Sequence, residues 1–155
     1  MLEDDATTLH TELGELLNAI RVALPGVQVL FAFLLVVPFS QRFHRVSSAQ
    51  EGAYFGALLC AATASVLLIA PSAHHRLRWR RPVEERSIRW GNRLLILGTL
   101  FLAFATVGAV FFITDVLFGP RASIPVATAL GAACLGLWYA LPLAWSRRGE
   151  HARRG

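Results

Sequence analysis

The sequence predicts an all-α fold: an integral membrane bundle of four transmembrane helices, with an N-terminal amphipathic helix, a basic cytoplasmic loop and both termini in the cytoplasm. Three observations carry this. Four apolar runs, at about 22–39, 52–71, 94–118 and 122–145, each lie near the roughly 20 residues that an α-helix needs to cross a hydrocarbon core about 30 Å thick. The 155 residues are 55% hydrophobic and only 16% charged, and a soluble domain this small has too much surface to hide four such runs in one core. The basic residues are also sorted. All fifteen are arginine. Twelve fall in the two ends and the middle loop, and only Arg42, Arg45 and Arg121 fall in the other two loops. That asymmetry orients the chain by the positive-inside rule.

One membrane domain, 1–155, accounts for the whole length. The net charge of +5 raises the question of nucleic acid, but the arginines crowd beside membrane ends, where anionic lipid attracts each by about 1 kcal/mol. No nucleic-acid fold accompanies them. The exclusive use of arginine fits a GC-rich coding sequence and a bacterial inner membrane. The first fifteen residues carry Glu3, Asp4, Asp5, Glu12 and Glu15, the opposite of a basic signal-peptide leader, so the first span is expected to act as its own insertion signal.

Residues 1–21 read as the amphipathic segment. Leu9, Leu13, Leu16, Leu17 and Ile20 recur at helical period on one stripe. Either they lie flat on the membrane or they form the cytoplasmic end of a long first helix packed on the basic loop. Pro25 is expected to kink or interrupt the passage into the first span. The second span opens on Ser48-Ala49-Gln50-Glu51, a capping-box pattern, and closes at Pro71-Ser72. The loop 72–93 follows, with Pro82, Glu84 and Glu85 marking a helix start. That helix continues into the third span, so Pro82 to Phe118 would extend about 55 Å. Gly119-Pro120 forms the next turn, Ser123 caps the fourth helix, and Pro125 sits in its first turn. Trp79, Trp90, Trp138 and Trp145 lie near span ends, as interfacial anchors do.

Helices in lipid associate through close backbone packing. Gly52, Gly56, Cys60 and Ala64 repeat every four residues in the second span, and Ala132, Gly136 and Ala140 do so in the fourth, beside Ala127 and Gly131. Ala105, Gly108 and Ala109 offer a smaller patch in the third. These seams serve either the internal bundle or, for Gly52 and Gly56, a homo-oligomer. Cys60 and Cys134 sit inside apolar runs and read as small buried residues.

Little chemistry is written into the chain. A proton- or sodium-coupled transporter normally keeps an ionisable group in the membrane interior, and the middle of these spans holds none. Asp115 lies 21 residues beyond Leu94, roughly 32 Å along a helix. It therefore belongs at the external boundary, accepting from turn amides or pairing with Arg121. Gln28, about 10 Å into the first span, is expected to make an interhelical hydrogen bond, satisfy the carbonyl freed by Pro25, or line a polar cavity. His74-His75, with isolated His10, His44 and His151, lacks the spacing of a zinc site, and no cofactor is expected. Phosphate loops, nucleophile elbows and paired acids suited to hydrolysis are missing from the sequence, so an enzyme is not expected.

The stretch Glu15 to Leu35 (ELLNAIRVALPGVQVLFAFLL), followed by PFSQRF at Pro38–Phe43, is distinctive. With Ala70-Pro71, His74-His75-Arg76-Leu77 and Asn92-Arg93-Leu94, it resembles an uncharacterised family of small four-helix integral membrane proteins common in actinobacteria. The resemblance covers about residues 12–145. It implies the same topology and singles out Arg21, Gln28, His75, Arg76, Asn92 and Arg93 at the cytoplasmic membrane face. The leading expectation is an accessory or interaction component whose basic face (Arg76, Arg78, Arg80, Arg81, Arg86, Arg89 and Arg93) binds anionic lipid or a partner membrane protein. The alternative is a small transporter or channel with a vestibule lined by Gln28, Asn92 and Arg93.

Overall fold

A computed structural model describes residues 2–41, 43, 46–77 and 85–140, and the regular secondary structure among these is entirely helical. Four stretches, Asn18–Phe39, Ser48–Pro71, Arg89–Phe118 and Pro120–Trp138, are each long and apolar enough to cross a membrane.

The first helix, α1 (Leu2–Val36), takes in the amphipathic segment and the first span as one rod and runs through Pro25. The expected interruption at Pro25 is therefore absent. A transmembrane helix tolerates the one carbonyl that proline leaves without its donor. Pro38 ends the helix instead, within the 3₁₀ turn Val37–Phe39. Having no N–H, Pro38 cannot serve the carbonyl four residues back, at Leu34. The Tyr54 hydroxyl of the next helix donates to that carbonyl at 2.8 Å, so a buried acceptor is satisfied across the helix pair.

α2 (Ser48–Leu77) opens one residue earlier in its capping than expected. The Ser47 N–H donates to Gln50 Oε1 at 2.9 Å and the Gln50 N–H to Ser47 Oγ at 3.3 Å. The box is Ser47/Gln50, not Ser48/Glu51. The helix also continues past Pro71 to Leu77, so Pro71 does not terminate it. α3 (Glu85–Phe118) has 34 residues and extends about 51 Å, merging the expected loop helix with the third span. Pro82 and Glu84 lie outside the described residues.

A single residue, Gly119, joins α3 to α4 (Pro120–Leu135). Its φ of +79° is open to glycine and strained for any other side chain. Gly119 is the N-cap and no side chain caps the helix, so Ser123 does not play the capping role its sequence position implies. A π-helical turn, Gly136–Ala140, continues α4. The remainder of the expected fourth span, to 145, lies outside the described residues.

Packing centres on the α2–α3 hairpin. α1 lies on both of its helices and α4 on α3 alone, so α1 and α4 make no close backbone approach to each other, nor do α2 and α4. The hairpin seam is built of small residues: Ala57 and Ala61 pack with Ala105 and Ala109, all buried, while buried Ala64 clusters with Val27 and Leu68. A Cβ on Gly108 would stand 3.0 Å from the Ala57 methyl, and one on Gly98 would stand 2.9 Å from Leu68. Of the expected packing residues, Ala64 is buried and Cys60 half-buried. Gly52 and Gly56, by contrast, are exposed, with nothing within 4 Å of a built Cβ. Ala132 and Ala140 are exposed, and Gly136 has open space beside it. The inward stripe of α4 instead comprises Ser123, Ala127, Gly131 and Cys134. The outside of the bundle carries Val29, Phe33, Phe55, Val66, Phe104 and Ile124, an apolar exterior suited to lipid.

Candidate functional site

Polar side chains gather at two opposite ends. At the turn end, where Gly119 lies, Asp115 is the centre of a knot. Gln50 Nε2 donates to Asp115 Oδ2 at 2.8 Å, and Ser123 Oγ donates to Asp115 Oδ1 at 2.8 Å. One carboxylate thus joins α2, α3 and α4, and it links α4 to α2, which share no close backbone contact. Position explains the arrangement. Asp115 stands in the last turn of α3, the unfavourable end of a helix dipole for an anion, but it accepts from the first turn of α4, whose positive end compensates. The Gly119 amide goes to the Asp115 backbone carbonyl at 2.9 Å. The carboxylate itself is served by Gln50 and Ser123, not by turn amides, and Arg121 is exposed.

Beneath the knot an aromatic cluster closes the bundle. Phe43, from the α1–α2 connection, meets Tyr54 edge-on at 5.1 Å, and Tyr54 lies 5.6 Å from Phe112. Such pairs contribute about 0.5–1.5 kcal/mol beyond their burial. With both Asp115 oxygens engaged and aromatic packing behind them, this end holds helices together. Among the described residues, no group of three or more His, Cys, Asp or Glu side chains could hold a metal ion.

At the other end, the start of α3 presents Arg89, Trp90 and Arg93, all exposed. Residues four apart on a helix share a face, so the two guanidinium groups align with the indole beside them. Asn92 is exposed as well. Arg76 lies in the last turn of α2 and Arg86 in the first turn of α3. Arg78, Arg80 and Arg81, like Trp79 and Trp145, lie outside the described residues. Gln28 is exposed on α1. The inward face of α1 is occupied by Val27 and Leu34 instead. The sequence marks Asp115 but not its partners Gln50 and Ser123, nor the Ser47–Gln50 cap and the Tyr54–Leu34 bond. The Ser47-x-x-Gln50 spacing was readable, whereas a contact 65 residues apart, Gln50 to Asp115, leaves no local trace.

A model of a family of unknown function (DUF6328) matches residues 3–142. No curated protein and no solved structure matches the chain.

Proposed function

The chain belongs to that family, and we propose that it is a multi-pass protein of a bacterial inner membrane, with its arginine-rich end and both termini in the cytoplasm. Its role in this reading is non-enzymatic: an accessory or interaction component whose basic face binds anionic lipid headgroups or an acidic partner protein. The observation that carries it is the exposed Arg89–Trp90–Arg93 face at the start of the third apolar helix. Two cations and an interfacial indole stand where a headgroup layer would meet them. The vestibule of a transporter gains no comparable support, since Gln28, Asn92 and Arg93 are all exposed.

Native mass spectrometry of the purified protein with mixed lipids tests this. Phosphatidylglycerol should be retained over phosphatidylcholine. At about 1 kcal/mol per arginine, Arg89→Gln with Arg93→Gln should cut that preference by roughly an order of magnitude or more. A partner protein would appear instead as a stoichiometric companion lost from native membranes when Arg78, Arg80 and Arg81 are neutralised. Unchanged lipid retention together with unchanged companions would overturn the proposal.

A further inference from the structure

Because α1 and α4 do not meet, a groove opens between them over α3. It measures about 570 Å³ and lies open along one side, within the range of small-molecule sites. Its walls are graded. On α1, Glu15, Asn18, Ala19 and Val22 line it at spacings of three and four, one stripe of a helix. Leu102 of α3 and Trp138 of the π-helical turn face them. Asn18 begins the apolar stretch of α1, so Glu15 lies just outside it, and Val22 lies about 10 Å further along the helix.

We propose that this groove binds an aminophospholipid, a lipid whose zwitterionic headgroup ends in a primary ammonium. The order of groups along the groove matches that molecule from head to tail. Glu15, exposed at the polar end, supplies a carboxylate for the ammonium, which can donate charge-assisted hydrogen bonds to it. Asn18, one turn further in, and the Trp138 indole N–H offer donors for phosphodiester oxygens. Ala19, Val22 and Leu102 then receive the chain. No arginine is among the described residues that line the groove, so among these a purely anionic headgroup finds a carboxylate and no cation. Choline, which lacks N–H groups, forfeits the hydrogen bonds to Glu15. The inference rests on the membrane reading above but not on the basic face.

Native mass spectrometry in a competition between phosphatidylethanolamine and phosphatidylcholine of matched chains provides the test. The wild-type protein should retain the ethanolamine lipid at least five-fold over the choline lipid. Glu15→Gln should bring the ratio near one, Glu15→Asp should keep most of it, and Ala19→Trp, which fills the groove, should lower retention of both lipids. Arg89→Gln with Arg93→Gln should leave the ethanolamine preference intact, so this inference and the basic-face proposal fail separately. An absent wild-type preference, a preference indifferent to Glu15→Gln, or a second copy of the chain held in place of lipid and lost on Ala19→Trp would overturn it.

Discussion

Tyr54 shows how one residue answers another across the bundle. Pro38 strips the Leu34 carbonyl of its helical donor, and the Tyr54 hydroxyl replaces it. Tyr54→Phe removes the hydroxyl and keeps the ring's contacts with Phe43 and Phe112. Interhelical hydrogen bonds in membrane proteins contribute about 0.6–2 kcal/mol, and unfolding in mixed micelles should register a loss of that size. The cause can be isolated with a double-mutant cycle. In a Pro38→Ala background the Leu34 carbonyl regains a backbone donor, so the cost of Tyr54→Phe should largely vanish. Equal costs in both backgrounds would show that the hydroxyl does something else. Neither half of this pair announces itself in the sequence, because Pro38 merely stands at the end of one apolar run and Tyr54 near the start of the next. Asp115 was legible by depth alone: counting from Leu94 places it at a helix end, but only the folded hairpins bring Gln50 and Ser123 to it.

For whole helices the sequence is informative about length and silent about rotation. Four apolar runs stand out because hydrocarbon thickness sets a length scale. Which face turns inward does not, because a helix with lipid on one side and protein on the other is apolar on both, so the amphipathic contrast that marks a core face in water is missing. Gly52 and Gly56 carry the familiar small-residue spacing yet face out, while Ala57 and Ala61 carry the seam. The capping box slipped for a related reason: Ser47-Ser48 and Gln50-Glu51 offer two overlapping boxes, and the one adopted also lets the Gln50 amide reach Asp115. Bulky substitutions separate the two faces. Gly108→Ile pushes a branched side chain into Ala57 and should cost about 1–3 kcal/mol through overpacking. Gly56→Ile, with open space beside it, should stay within about 0.5 kcal/mol in the same unfolding assay. If the two cost the same, the α2–α3 seam is rotated from the one described.

At the scale of the whole molecule, two asymmetries organise the protein. Arginines collect at one end, where α1 and α3 extend beyond their apolar stretches, while the other end is closed by the Asp115 knot and the aromatic cluster. The helices also surround α3 unevenly, leaving the α1–α4 groove on one side. The proposed roles of the arginine end and the groove both depend on which compartment each end faces. The most direct measurement is therefore labelling of single cysteines in intact cells, in a background with Cys60 and Cys134 replaced by serine. A membrane-impermeant maleimide should modify Ser48→Cys from outside, and should reach Arg80→Cys only after the membrane is permeabilised. Modification of Arg80→Cys in intact cells with Ser48→Cys protected would invert the molecule and contradict the orientation on which those roles rest.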